Sequence, residues 1–347
     1  MDVVDVAVVG GGQAAFAAGY YLRRSSARVR LFDRERGPGG AWQHTWPSLK
    51  LFSPARWSSL PGWLMPPTAE TYPTRDEALA YLAAYEQRFE LPVERPVTII
   101  ETWADGDRLR LVTGTGREIS AGAVISATGT WGAPHLPSLP GQQTFGGRIV
   151  HSAHYDGPVS FAGQRVFVVG AGNSGAQIFA DLVDHATVTW LTQAPPVFLP
   201  DDVDGQVLFD QATARYRAIQ EGRTPDPPRS LGDIVMVESV RDLRARGLLV
   251  ATPMFEAFTP TGLRWPDGSE RAADAVVFAT GFRPALTHLA PLVTPDARGR
   301  LPMAGLCAAA HPRLFPLGYG DWTGFASATL VGVGRSAKAV AAAASGS

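Results

Sequence analysis

Two glycine-rich loops carry the spacing in this sequence that most directly implies chemistry. Gly10-Gly11-Gly12-Gln13-Ala14-Ala15 follows the β-rich residues 3–9 and leads into an alanine-rich stretch, 13–24, with apolar residues at helical spacing. Gly170-Ala171-Gly172-Asn173-Ser174-Gly175 follows the strand-like residues 165–169 and leads into 176–185 in the same way. In such a loop the first glycine makes a tight turn and the second lets the backbone approach a pyrophosphate. The third position must be small so that the helix packs on the strand. The N–H groups at the helix start then hold the phosphates. Gly10, Gly12, Gln13 and Ala14 are therefore expected at one dinucleotide, and Gly170, Gly172, Asn173, Ser174 and Gly175 at a second.

The ends of the following strands differ. Asp33 closes the strand after the first helix, where a carboxylate can accept both ribose hydroxyls. The equivalent end in the second module is Thr192-Gln193. It has neither the acid that favours NAD nor the arginine that holds a 2′-phosphate, so NADPH is permitted and NADH is not excluded. The nearest basic residues downstream are Arg215, Arg217 and Arg223.

Other reactive patterns are poor. The single cysteine, Cys307, excludes an internal disulfide, a CxxC pair and a multi-thiolate metal site, and is read as a small buried residue. Asp201, Asp202 and Asp204 lie in a Pro/Gly loop without a nearby histidine, which reads as a solvated turn rather than a metal site. No metal is expected. The loop around Ser174 is not a GxSxG elbow and no HExxH occurs, so hydrolase chemistry has no support.

The elements that must position these loops form one module used twice, roughly 160 residues apart. Each is strand, glycine turn, helix and strand, which predicts an α/β chain with two Rossmann-like dinucleotide-binding domains. The second is inserted in the first: 1–157, then 158–279, then a return segment 280–347. Residues 42–73 are rich in Trp and Pro and too irregular for a long helix. Residues 74–89 read as a helix, with Thr74 or Asp76 as N-cap and Glu77 in the first turn. Two runs, 123–127 and 275–279, read as buried strands that each lead into Ala-Thr-Gly. Residues 322–344 are expected to form one helix against the first domain. With a net charge of −1 and no basic block, neither nucleic acid nor an anionic membrane is an expected partner. No run approaches the length of a membrane span, and residues 1–12 read as a strand rather than a signal peptide, so a cytoplasmic setting is expected. Homo-oligomerisation is left open.

Between the loops, Phe145-x-Gly147-x-x-x-His151-x-x-x-Tyr155 resembles the identifying sequence of class B flavin monooxygenases, FxGxxxHxxxY/W. Ala127-Thr128-Gly129, Phe278-Ala279-Thr280-Gly281-Phe282 and Gly39-Gly40-Ala41-Trp42 match motifs of the same family. The resemblance covers essentially the whole chain. Residues 51–63, 198–205, 232–237 and 318–335 are similar to the flavin monooxygenases encoded in bacterial arsenic-resistance operons, and residues 48–91 to plant YUCCA-type enzymes.

The resemblance implies FAD on the first domain and NADPH on the second. It implies an FAD- and NADPH-dependent monooxygenase that takes a small-molecule substrate and dioxygen, forms a C4a-peroxyflavin and oxygenates a soft nucleophile. That nucleophile is trivalent arsenic or an organoarsenical, or otherwise a sulfur or nitrogen compound. Gly40, Trp42, Thr128, Gly129, Thr192, Gly281, Phe282 and Thr323 join the cofactor-binding set. His151, Tyr155, Phe52 and Trp322 become candidates for the substrate or for coupling between domains. His151 is read equally as a hinge histidine bonded to backbone. Trp42, Trp46, Phe52, Trp57, Trp63 and Trp322 are candidates to line an apolar pocket. Tyr155 in place of Trp points to heteroatom oxygenation over Baeyer–Villiger chemistry, although Asp156 can follow the Trp in the Baeyer–Villiger pattern. Relatives carry an asparagine near the flavin after a Leu-x-x step; here Phe52-Ser53 follow Leu51, so no catalytic residue is assigned. Three alternatives stay open: a flavin reductase of the two-Rossmann type, a Baeyer–Villiger enzyme, and a flavin-binding sensor without turnover.

Overall fold

The computed structural model describes residues 1–203, 205–224 and 233–346; Asp204 and the side chains of Arg215 and Arg217 lie outside the described residues. The chain divides into two compact units. One comprises Met1–Gln43, Pro54–Ala133 and Arg283–Ser347, the other His44–Ser53 and Pro134–Phe282.

The first unit opens with β1 (Asp2–Val9), α1 (Gln13–Leu22), β2 (Val29–Phe32), α2 (Arg75–Arg88), β3 (Val93–Glu94), β4 (Ile99–Asp105), β5 (Arg108–Thr113) and β6 (Glu118–Ser126). The second unit holds β7 (Arg148–His151), β8 (Arg165–Val169), α3 (Asn173–Leu182), β9 (Thr187–Thr192), α4 (Gly205–Gln220), α5 (Glu238–Ala245), β10 (Ala251–Pro253), the antiparallel β11 (Ala257–Thr259), β12 (Gly262–Arg264) and β13 (Glu270–Ala272), and β14 (Ala275–Phe278). The return segment adds β15 (Met303–Ala304), β16 (Cys307–Ala308), β17 (Leu314–Pro316) and α6 (Val333–Ser345).

The first sheet runs β3-β2-β1-β6-β5-β4. Strand β6 is shared along one edge: Ala121 pairs antiparallel with Leu109 of β5, whereas Val124 pairs parallel with Leu314 of β17. The second sheet is parallel throughout, in the order β10-β9-β8-β14-β7. Central strands covered on both faces read as near-continuous apolar runs. Val6, Ala7 and Val8 of β1 and all four residues of β14 are fully buried, which is why these runs were legible without alternation. The second unit takes in residues on both sides of position 158. Arg148–His151 adds a parallel strand beside Ala275–Phe278 and so belongs to the second sheet.

Helix α2 starts as its sequence predicts. The Thr74 hydroxyl accepts from Glu77 N–H, and the Glu77 carboxylate accepts from Thr74 N–H at 2.8 Å, a complete capping box. Thr74→Ala should cost about 0.5–2 kcal/mol in urea unfolding, and an unchanged midpoint would count against the box. The C-terminal expectation needs correcting: α6 begins only at Val333, not near Trp322. Gly324 at φ +124° and Ala326 at φ +54° lie outside the helical region, so no helix passes through them. Helix α6 packs on α1.

Candidate dinucleotide sites

The first loop shows why it is glycine-rich. Gly10 sits at φ +120°, and a Cβ there would lie 2.4 Å from the Ala127 carbonyl oxygen. Gly40 takes φ +53°, and its Cβ would lie 2.7 Å from Gly12 Cα. No side chain caps α1 at Gly12, and its first backbone bond is Phe16 N–H to Gly12 O at 3.0 Å. The N–H groups of Gln13, Ala14 and Ala15 thus lack partners inside the helix, the arrangement an anion completes. Trp42 Nε1–H donates to Gln13 Oε1 at 3.1 Å, and Gln13 Nε2 donates to the Ala328 carbonyl at 2.7 Å. Gly129, at φ +63°, faces open space. Backbone without side chains therefore surrounds an uncapped helix end, which fits a bound pyrophosphate.

Asp33 ends β2 as its sequence implies but is not an open carboxylate. It is 3% exposed, and a Cβ on Gly11 would strike its Oδ2. Oδ2 accepts from Arg95 Nε at 2.7 Å, and Oδ1 accepts from Glu35 N–H at 3.2 Å. Arg95 also donates to Glu86 at 2.6 Å, so one guanidinium holds two carboxylates together. Neither Arg95 nor Glu86 was singled out from the sequence; no spacing rule links them to Asp33.

The second loop repeats the first. Gly170 takes φ +142°, with its Cβ position 2.4 Å from the Ala279 carbonyl oxygen. Gly175 would place a Cβ 2.3 Å from Gly170 O, so only glycine fits. Gly172 starts α3 with no side-chain cap and no acid in the first turn, which suits nicotinamide-dinucleotide phosphates. The Asn173 side chain is committed elsewhere: Nδ2 donates to Asp233 O at 3.0 Å and Oδ1 accepts from Val235 N–H at 2.9 Å. Ser174 is half-buried in the first turn of α3. Thr192 is buried at the end of β9, and Arg223 is paired with Glu221.

His151 and the second Ala-Thr-Gly turn come together. Its Nδ1 accepts from Ala153 N–H at 3.0 Å, which leaves the proton on Nε2 to donate to Gly281 O at 2.9 Å. Phe282 stands edge-on to the ring at 4.9 Å. Burial holds this imidazole below its ordinary pKa, so His151 is a neutral, fully bonded group and no general base. Tyr155 is likewise committed: it is 2% exposed, donates to Asp181 at 2.7 Å and stacks on Phe161 at 5.6 Å.

The aromatic residues expected around one pocket are shared between the two units. Trp46 stands edge-on to Tyr155, and Phe52 lies against Phe209, both pairs in the second unit. In the first unit Trp322 stacks on Tyr319 and Trp63 packs against Tyr81; Trp57 is half-buried there. Trp63, Pro54, Arg56, Leu64 and Met65 line an apolar groove of about 870 Å³. The Thr323 hydroxyl bonds within its own turn, to Gly320 O, Tyr319 N–H and Ser327. Cys307 is half-exposed on a short hairpin rather than buried, and its thiol donates to Ala304 O. Asp201 pairs with Arg244 at the surface. Among the described residues no cluster of His, Cys, Asp or Glu could hold a metal, and no helix is long and apolar enough to cross a membrane.

Burial also depresses His288, to about 4. A histidine whose folded pKa lies below its unfolded value of about 6.5 adds stability above that pH and loses it as pH falls. Unfolding free energy should therefore decline between about pH 6.5 and 4, and His288→Gln should flatten that slope in urea titrations. An identical slope in the variant would count against it.

A family model described as pyridine nucleotide-disulphide oxidoreductase matches residues 7–208. A flavin-containing monooxygenase from Stenotrophomonas maltophilia shares 50% identity and a TM-score of 0.91, over 100% of this chain and 99% of that one. The chain belongs to the flavin monooxygenases of that family. This flavin monooxygenase is also 30% identical to the indole-3-pyruvate monooxygenase YUCCA8 of Oryza sativa subsp. japonica, over 80% of this chain and 75% of the relative. It is 29% identical to an uncharacterized oxidoreductase, CzcO-like, of Geobacillus kaustophilus, over 81% of each. Membership implies FAD and NAD(P)H as cofactors. It does not bring disulfide chemistry with it, since Cys307 stands alone.

Proposed function

We propose that this enzyme uses NADPH and FAD to insert one oxygen atom of dioxygen into a soft nucleophile, a sulfur, nitrogen or trivalent arsenic centre. The observation that carries the assignment of sites is the duplicated turn. In each unit the first loop glycine lies against the alanine carbonyl of an Ala-Thr-Gly turn, with the same 2.4 Å Cβ approach, beside an uncapped helix. The unit with Gly10 takes FAD, and the unit with Gly170 takes NADPH; the nucleotide domains follow these units. A cytoplasmic setting, where reduced nicotinamide is supplied, fits this reading.

When bound, NADPH supplies a hydride and FAD the means of activating dioxygen. The chain's own residues bind and orient. The N–H groups of Gln13, Ala14 and Ala15 hold one pyrophosphate, and those at the start of α3 hold the other. Gln13 and Trp42 brace the first helix end. Asp33, turned by Arg95, sets the charge behind Gly11. His151 fixes the Gly281 carbonyl and so the second turn. No general base is required of Tyr155, whose hydroxyl is spent on Asp181. Arsenic as the substrate rests on resemblance alone, because no thiol cluster is present to capture it.

A second reading takes a carbonyl substrate such as a 2-oxo acid, the class that the name of the rice relative contains. One set of measurements separates the readings. Purified enzyme is mixed with NADPH or NADH in air, and hydrogen peroxide release is followed with a thioether, an amine, arsenite or indole-3-pyruvate. The substrate class should suppress peroxide release and appear oxygenated by mass spectrometry. Peroxide equal to the nicotinamide consumed with every class would sink the monooxygenase reading. Absence of flavin reduction by either nicotinamide would sink the assignment of the second unit.

A further inference from the structure

A buried chain of hydrogen bonds runs behind the Ala127-Thr128-Gly129 turn of the first unit. Its members come from three stretches: Ser126 at the end of β6 with Thr128 just beyond, Ala285 and His288 where the chain re-enters the unit, and Tyr319 after β17. The Tyr319 hydroxyl lies 2.6 Å from Ser126 Oγ and 2.7 Å from Thr128 Oγ1, and it accepts from Thr128 N–H at 3.2 Å. Thr128 Oγ1 donates to the Ala285 carbonyl at 2.7 Å. Ser126 Oγ lies 3.1 Å from His288 Nε2.

Counting hydrogens fixes every direction. Each hydroxyl has one hydrogen to give. The Ala285 carbonyl can only accept, so Thr128 spends its hydrogen there and must accept from Tyr319. Tyr319, having donated to Thr128, must accept from Ser126. Ser126, having donated to Tyr319, must accept from Nε2–H of His288. The chain therefore runs one way, His288 to Ser126 to Tyr319 to Thr128 to Ala285. Burial holds His288 well below its ordinary pKa, and the count places the N–H of the neutral ring on Nε2.

Thr128, the last hydroxyl of the chain, stands between the two residues that border the glycine loop. Ala127 presents the carbonyl that meets Gly10, and Gly129 is the bare, positive-φ position beyond. Ser126 and Tyr319 are 0% and 5% exposed, so water does not replace a lost partner. We propose that Tyr319 is a positioning residue for FAD, holding Thr128, and through it the Ala127–Gly10 contact, in the binding geometry. The proposal rests on the reading that the Gly10 unit binds FAD.

The test is titration of apoprotein with FAD by flavin fluorescence, with visible circular dichroism of the bound flavin. Tyr319→Phe keeps the ring on Trp322 and removes only the hydroxyl. It should weaken FAD binding at least ~10-fold, about 1.4 kcal/mol, and alter the dichroism. His288→Leu should do the same, whereas His288→Gln, which retains an N–H donor, should recover binding to within about threefold. Tyr85→Phe is the control: its buried hydroxyl bonds to Pro61 O elsewhere in the unit. Wild-type affinity and dichroism in Tyr319→Phe, or equal weakening in Tyr85→Phe, would overturn the proposal. FAD affinity lost in Gly10→Ala but kept in Tyr319→Phe would overturn it while leaving the site assignment standing. Full FAD binding by Gly10→Ala would overturn the assignment and the proposal together.

Discussion

Gly170→Ala is expected to give a yellow protein that neither NADPH nor NADH reduces, whereas Gly10→Ala is expected to purify without flavin. Both glycines occupy backbone conformations that side chains avoid, φ +142° and +120°. In both, the added methyl would meet a backbone oxygen at 2.4 Å. That oxygen cannot swing away like a side chain, because it directly follows β14 or β6, strands paired on both sides, and its own residue's N–H is bonded to Val169 or Val9 of the neighbouring strand. The loop must move instead, and the helix N–H groups move with it. Strain of about 1–3 kcal/mol together with the misplaced donors should cost each cofactor roughly 100-fold or more in affinity. The ratio of visible to ultraviolet absorbance after purification reads the first loss, and anaerobic reduction reads the second. If both variants lost the same cofactor, the assignment of one nucleotide to each unit would fail.

Arg95→Met should be strongly destabilising. The guanidinium is 11% exposed and is bonded at 2.7 Å to Asp33 and at 2.6 Å to Glu86, whose side chains are 4% and 20% exposed. Removing it strands two carboxylates, a loss of about 3–5 kcal/mol for a buried pair broken on one side. Adding Asp33→Asn to Arg95→Met should recover part of the loss. Urea unfolding checks both statements; a small deficit in Arg95→Met would show that the pair contributes little.

Much of the architecture was legible because its causes are local. Residues 165–169 form the strand their apolar run implies, and the Thr74 cap appears where a Thr-x-x-Glu spacing places it. The helix expected over 322–344 shows the opposite case. Its composition is helical, but Gly324 and Ala326 leave the helical region where the chain turns back on itself after Tyr319. The sheet to which residues 148–151 belong was harder to read, since the strand is short and joins its sheet through pairing with 275–278. Asp33 shows the same limit at a site. Its place at the strand end was readable, but its partner stands 62 residues away and could not be singled out from other arginines.

What the sequence determined by itself was the pair of glycine loops and the strands and helices around them. A turn at φ +120° or +142° admits glycine and little else, so residue type alone reports the backbone. Only the tertiary structure decided which polar groups are spent. It gave His151 its bond to Gly281 and Tyr155 its bond to Asp181, and it joined Ser126 to Tyr319 across 193 residues. Hydrogen-bond partners are chosen by proximity in the folded chain, and hydroxyls, imidazoles and carboxylates each accept many partners, so spacing carries no record of the choice.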